Sequence, residues 1–214
     1  MCMPTLEGWT LWLHIAAGTV AVLAGLGALV TTKGGLRHRQ AGKLFLIAIS
    51  VVVATVFGLL AINPTTFRII LTLVAIFSGY LAFSGYRVLA RKRPEDDADV
   101  IDWSATGTVF VACLGLGVWG VTWFLGGQSF GIVMVIFGAI GVIFATLDGW
   151  TFRREGTGEW TVTHLQRMIA AFISTVSAVS AVNLTPIMGI WAWIWPTIVG
   201  VPLIVYWSNT YSTE

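Results

Sequence analysis

Five ionisable side chains lie at or beside the ends of long apolar segments, where charge is energetically expensive and marks candidate functional sites. They are two imidazoles, two carboxylates and one guanidinium: His38, Asp102, Asp148, His164 and Arg167. Imidazole and carboxylate ligands suit a divalent ion such as zinc or iron, so His38, His164, Asp102 and Asp148 are candidate metal ligands. A single haem b held by His38 and His164 is the other candidate cofactor. The interpretation that we favour needs no cofactor, because the same groups can form salt bridges and hydrogen bonds at the headgroup boundary.

The usual motifs of nucleophilic and phosphoryl chemistry are missing from the sequence. It contains no G-x-S-x-G elbow and no G-x-x-x-x-G-K-[ST] phosphate loop. Its two cysteines, Cys2 and Cys113, are too few for a disulfide framework or a cysteine-rich metal site. Apolar neighbours keep the Cys113 thiol protonated and unreactive. We therefore assign no catalytic residue and do not expect an enzyme.

The sixth apolar segment carries an unusual number of small polar residues. His164, Ser174, Thr175 and Ser177 fall on or beside one helical stripe. Such a stripe can line a polar cavity or a transport path, and these four residues are the candidates for one. The interpretation that we favour for the stripe is simple packing, since hydroxyl groups also join membrane helices to one another.

Basic residues are concentrated in the connections between the apolar segments. Lys33, Arg37, Arg39 and Lys43 surround the first connection, and each base near an anionic membrane surface contributes about 1 kcal/mol of attraction. We predict that these four residues bind lipid headgroups, with an anionic metabolite as the alternative ligand. A second basic run, residues 91–93, is followed after Pro94 by acidic residues, which is typical of a solvated connector.

Seven long apolar segments must position all of these residues. The 214-residue chain is 57% hydrophobic and 10% charged, whereas soluble domains carry about 25% charged residues. Roughly 20 apolar residues cross a bilayer as a helix, and the alternating pattern of a membrane barrel is absent. The sequence therefore predicts an all-α membrane protein, a seven-transmembrane-helix bundle that forms one domain over residues 1–214. The predicted spans are 10–32, 43–62, 66–89, 104–125, 130–149, 163–184 and 190–208.

The distribution of basic residues predicts the orientation of the bundle. Of the twelve lysines and arginines, all except Arg68 fall on one side of the predicted membrane. The positive-inside rule places that side in the cytoplasm, with the N-terminus outside and the C-terminus cytoplasmic. A net charge of +2, spread over the whole chain, excludes a nucleic-acid binder.

The first segment presents a face of small residues that also carries a histidine. His14, Gly18, Ala21, Gly25 and Ala28 recur at helical spacing. Because small residues allow helices to approach closely, this face is predicted to pack against another helix and to shelter His14 from lipid.

Five short stretches spread over nearly the whole chain carry a resemblance to a known family. They are His14–Gly18, Arg37–Gly42, Ser84–Arg87, His164–Met168 and Trp195–Gly200. Together they resemble a family of predicted prokaryotic multi-pass membrane proteins of unknown function. The resemblance implies the cytoplasmic membrane of a bacterium or archaeon, and it implies no reaction and no catalytic residues.

These patterns predict a non-enzymatic accessory or interaction component of a membrane assembly. Its expected partners are the lipid bilayer and other membrane subunits or further copies of itself. Two alternatives stay open: a small-molecule or ion carrier that uses the polar face of the sixth helix, and a haem- or metal-binding redox protein of the membrane.

Overall fold

The computed structural model describes residues 5–93, 96–153 and 160–212. Within them the chain forms seven α-helices and no strand, and every helix is long and apolar enough to span a bilayer. The predicted all-α, seven-helix membrane fold is therefore confirmed. The helices are α1 (Leu6–Val30), α2 (Leu36–Ile62), α3 (Thr66–Arg87), α4 (Val100–Leu125), α5 (Gly131–Thr151), α6 (Trp160–Met188) and α7 (Trp191–Tyr211).

Helix α2 begins seven residues earlier than the apolar pattern predicts, at Leu36 instead of Lys43. The turn before it is short because Gly34 adopts a φ of +76°, a conformation that residues with side chains rarely take. Arg37, His38 and Arg39 consequently lie in the first turns of the helix. Helices extend into the polar headgroup layer, where charged residues are tolerated. A hydropathy criterion therefore places the start of such a helix too late in the sequence.

Residue contacts divide the chain into two units, residues 1–75 and 76–214. In the first unit, α1 packs against α2 through buried small residues, which include Ala21 and Gly25. The His14 ring joins the two helices, with Nδ1 at 2.8 Å from the Thr55 hydroxyl. Because that hydroxyl donates its proton to backbone carbonyls of α2, Thr55 accepts from the histidine. The predicted packing role of the His14 face agrees with this contact.

An ion pair joins the other elements of the first unit. Arg68, at the start of α3, lies 2.5 Å from Glu7 of α1. The same guanidinium donates to the carbonyl oxygens of Leu59 and Asn63, at 2.8 and 3.1 Å, where α2 ends. Arg68 thereby satisfies backbone acceptors that the helix leaves without partners.

Replacing Thr55 with valine should destabilise the first unit by about 1 kcal/mol, since it removes the partner of His14 while keeping the side-chain shape. Thr19→Val is the matched control, because Thr19 is exposed and bonds only to its own helix. Equilibrium unfolding in mixed micelles of dodecyl maltoside and sodium dodecyl sulfate would measure both. Equal effects of the two substitutions would contradict a role for the His14–Thr55 contact.

In the second unit, α4 and α5 pack along a seam with three- and four-residue spacing. The buried residues of α4 are Asp102, Thr106, Val109, Cys113, Leu116 and Gly120. Those of α5 at the same spacing are Gly131, Met134, Gly138, Gly141, Ala145 and Asp148. The glycines permit backbone contact, since a Cβ atom on Gly138 would lie 2.7 Å from the Gly117 Cα. The antiparallel hairpin brings the two aspartates, at the start of α4 and the end of α5, to the same end of the unit.

The opposite end of the second unit is held largely by aromatic side chains. The buried Trp193 ring of α7 meets Phe130 at 5.1 Å and Phe137 at 6.4 Å between centroids. The indole nitrogen of Trp195 donates to the Ser180 hydroxyl of α6 at 2.7 Å. This end of the unit therefore combines ring packing with a hydrogen bond between side chains of α6 and α7.

Candidate functional site

Asp148 is the centre of a buried group of polar side chains that joins four helices. It is 3% exposed and accepts hydrogen bonds from the Tyr80 hydroxyl and from the Ser84 hydroxyl, the latter at 2.9 Å. Arg167 of α6 contacts the other carboxylate oxygen at 2.5 Å. Tyr80 in turn accepts from Thr106 of α4 at 3.0 Å. We refer to these five residues as the Asp148 cluster.

Arg167 is as deeply buried as its partner, with 4% of its surface exposed. Its guanidinium lies over the Phe144 ring, 4.3 Å from the centroid, which shields the charge from the surroundings. The contact with Asp148 uses a terminal nitrogen, and among the described residues the Nε atom has no hydrogen-bond partner. The pair is therefore not the bidentate arrangement that arginine and carboxylate groups often adopt.

A second charged group lies at the same end of the unit, around Asp102. Arg87 binds Asp102 in bidentate fashion, at 2.9 and 2.8 Å. Arg91 adds an ion pair at 3.4 Å, and the backbone N–H of Asp99 donates to the same carboxylate at 3.0 Å as part of the cap that begins α4. These four residues are the Asp102 cluster.

Arg91 connects the two clusters electrostatically. Burial lowers the pKa of Arg91 below its ordinary value, and the charges of Asp102 and Asp148 both act in the opposite direction. The guanidinium is ionised at any physiological pH. It also lies over the Phe152 ring, 4.5 Å from the centroid. The prediction of a solvated connector is therefore wrong at its first residue, which is largely buried against an aromatic ring and a carboxylate.

A close approach of α3 and α6 completes the arrangement. His164 Nδ1 lies 2.7 Å from the carbonyl oxygen of Gly85 and donates to it, because a carbonyl only accepts. A Cβ atom at Gly85 would lie 3.0 Å from the Arg167 Cβ and the Met168 sulfur. Glycine at this position allows the helices to bring Arg167 within reach of Asp148.

Helical spacing explains why the site forms from these residues. On α3, Tyr80, Ser84 and Arg87 are separated by four and three positions, so all three lie on one face. Asp102 and Thr106 are four positions apart on α4. The sequence pattern singles out both aspartates and Arg167, but not Tyr80, Ser84 or Arg87. The polar face on α3 is the sequence signal that could have identified Tyr80, Ser84 and Arg87.

The structure separates the predicted metal ligands into different local environments. Asp102 and Asp148 each bind arginine, and His164 binds a backbone carbonyl. Among residues 5–93, 96–153 and 160–212, no three His, Cys, Asp or Glu side chains are grouped as metal ligands would be. His38 lies in the first unit, where its Nδ1 donates to the Ala28 carbonyl at 3.0 Å.

The two candidate haem ligands share one feature. His38 and His164 both donate Nδ1–H to a carbonyl oxygen, which is the tautomer that histidine ligands of metals commonly have. A haem held by this pair stays a prediction.

The predicted polar path on α6 is buried inside the second unit. Ser174 lies 2.6 Å from the Ser78 hydroxyl of α3, and Thr175 donates to its own helix at 2.8 Å. Ser177 is fully buried, and its hydroxyl has no hydrogen-bond partner among the described residues. His164 lies on the same helix, toward the Asp148 cluster.

The four predicted lipid-headgroup residues differ in exposure. Arg37, Arg39 and Lys43 are exposed, whereas Lys33 is half-buried. The Lys33 ammonium donates to the Leu29 carbonyl at 2.6 Å and so caps the end of α1. Partial burial lowers the pKa of Lys33.

The candidate site is thus a pair of adjoining ionic clusters that fasten α3, α4, α5 and α6 at one end. The residues provide hydrogen-bond donors, buried charge and closely packed aromatic rings, an arrangement suited to binding or gating. No family model, curated protein or solved structure matches the chain.

Proposed function

We propose that this multi-pass membrane protein is a small-solute carrier and that the Asp148 cluster is the gate at one end of its path. The observation that carries the proposal is the burial of Asp148, with donors from two neighbouring helices on one carboxylate. Breaking those few contacts would release α3 and α6 from α5 together. By the positive-inside rule this gate faces the cytoplasm.

Energetics favour a functional over a purely structural reason for these charges. A buried ion pair recovers little more than its own desolvation penalty, so well-packed apolar residues would hold the helices as firmly. Ionisable residues inside membrane helices mark substrate and ion pathways. Polar contacts can also be exchanged for contacts with water or a solute, which is what opening a gate requires.

The buried hydroxyls of α6 supply a route away from the gate. Ser174, Ser177 and Ser180 are all buried and recur every third residue. Ser180 lies thirteen residues beyond Arg167, about 20 Å along the helix. At that end the aromatic contact of Trp193 with Phe130 would form the second gate.

The accessory role predicted from the sequence remains the competing proposal. An accessory subunit would use its outer surfaces to bind a partner, and it has no need of a charged network enclosed by its own helices. We therefore prefer the carrier. Co-purification of a stoichiometric partner under mild detergent would support the accessory role instead.

Reciprocal accessibility of the two ends tests the proposal. In a background with Cys2 and Cys113 replaced by alanine, single cysteines would be placed by Ser84→Cys and, separately, by Ser180→Cys. Labelling by a membrane-impermeant maleimide would be timed from each side of sealed vesicles. Tyr80→Phe would then be added, since it removes one donor to Asp148 and leaves no unpaired buried charge.

We expect Tyr80→Phe to accelerate labelling at position 84 by about tenfold, and to slow labelling at position 180. Tyr86→Phe is the matched control, because Tyr86 is exposed on the same helix, and it should change neither rate. Faster labelling at both positions, or at neither, would exclude alternating access through this gate.

A further inference from the structure

The two clusters contain more donors than acceptors. Three arginines, Arg87, Arg91 and Arg167, face two carboxylates, Asp102 and Asp148. The third carboxylate, Asp99, is exposed and accepts from the Val100 N–H at the cap of α4, so the buried guanidinium groups are short of acceptors although the charges balance. A desolvated guanidinium without a full set of acceptors is unfavourable, so the imbalance points to an absent acceptor.

The carboxylates are already supplied with donors. Asp148 accepts three hydrogen bonds from side chains. Asp102 accepts two from Arg87 and one from the Asp99 backbone. With these hydrogen bonds, neither carboxylate needs a bound cation.

The unused donors belong to the arginines. Among the described residues, Arg167 Nε and Arg91 Nη1 are buried and make no hydrogen bond, although Arg91 Nη1 lies within ion-pair distance of Asp102. Both guanidinium groups interact with Asp148, Arg167 by contact and Arg91 at longer electrostatic range. Each also has an aromatic ring against its face, Phe144 and Phe152 respectively, so binding would use the guanidinium edges.

We propose that Arg91 and Arg167 form a binding site for an oxyanion, a carboxylate or a phosphate group. The planar guanidinium presents parallel N–H donors that match two oxygens of such a group. Binding would compete with Asp148 for Arg167, and so would loosen the Asp148 cluster. This proposal names the substrate class of the proposed carrier. Anion binding itself does not depend on the carrier function, and only the transport step that follows binding rests on it.

Two sources of the same chemistry must be distinguished, a free anion and the headgroup of an acidic lipid. Purified protein in dodecyl maltoside would be titrated with inorganic phosphate, with succinate and with dihexanoyl phosphatidylglycerol. Sodium chloride at equal ionic strength is the reference. Ligand binding is measured as the rise in thermal unfolding midpoint with ligand concentration, which requires no transport.

We expect phosphate or succinate to raise the midpoint above the chloride reference. Arg91→Gln should weaken the apparent affinity about tenfold, the effect of losing one charged hydrogen bond. Arg93→Gln is the control, because Arg93 is exposed and lies two residues after Arg91, and it should leave the affinity unchanged. Arg167→Lys, which keeps the charge but removes the Nε donor, tests the second arginine.

A rise with phosphatidylglycerol alone would support the oxyanion site and assign it to a lipid headgroup. No rise above chloride with any of the three ligands would overturn the proposal, and so would equal losses in Arg91→Gln and Arg93→Gln. Because the labelling experiment on the gate uses no ligand, the carrier could fail that test while anion binding holds, or the reverse.

Discussion

Asp148→Ala should destabilise the protein by about 3–5 kcal/mol, the usual effect of removing one partner from a buried ion pair. The substitution leaves the Arg167 guanidinium inside the helices without a counterion, and the hydroxyls of Tyr80 and Ser84 without their acceptor. Equilibrium unfolding in mixed micelles, followed by tryptophan fluorescence, measures the loss. Asp97→Ala is the control, because Asp97 is exposed in the connection before α4, and it should have almost no effect.

A second substitution shows whether the loss of stability in Asp148→Ala comes from the unpaired Arg167 guanidinium. Asp148→Ala combined with Arg167→Met removes both charges, so the double variant should be more stable than Asp148→Ala alone. If the two losses simply add, the energy does not come from an unpaired guanidinium, and the coupling between these residues would be negligible.

Gly138→Ala should cost about 3 kcal/mol, although it adds only one methyl group. The new Cβ would lie 2.7 Å from the Gly117 Cα and from the Cys113 carbonyl oxygen on α4. Both neighbours are backbone atoms, so the helices must separate, and overpacking of this kind is strongly destabilising. Separation would also disturb Asp148, which lies ten positions further along the same seam.

Gly115→Ala gives the matched comparison, because the same change on α4 meets no atom within 4 Å. Alanine also favours helix over glycine by about 1 kcal/mol, so this variant should be as stable as the parent or more so. The same micelle unfolding measurement serves for both. A Gly138→Ala variant as stable as Gly115→Ala would show that α4 and α5 do not pack in this register.

The fold was largely predictable from the sequence because membrane helices obey a local rule. Each needs a long apolar segment. The start of α3 at Thr66 and the end of α4 at Leu125 both agree with the hydropathy pattern. The early start of α2 at Leu36 was not predictable in this way, because its first turns are basic and extend beyond the apolar segment.

The site was only partly predictable, since its contacts join residues distant in sequence. Asp102 and Asp148 stood out as charges beside apolar segments, but nothing local indicated that arginines would bind them. Tyr80 is an ordinary residue for a membrane helix in sequence terms. Only the fold brings it into contact with its carboxylate partner, which is 68 positions away in the sequence. Helix pairing in the membrane plane decides such contacts, and the pattern of one sequence leaves that pairing open.

The position of Arg167 also has a consequence for how the chain enters the membrane. Synthesis proceeds from the N-terminus, so α5 is made with Asp148 before its cation exists, and that cation follows 19 residues later on α6. A carboxylate near the middle of an isolated helix raises the free energy of insertion by about 2.5–3.5 kcal/mol, and by less near a helix end. We therefore expect α5 to gain its full stability only when α6 has inserted, so that the two helices enter the membrane as a hairpin.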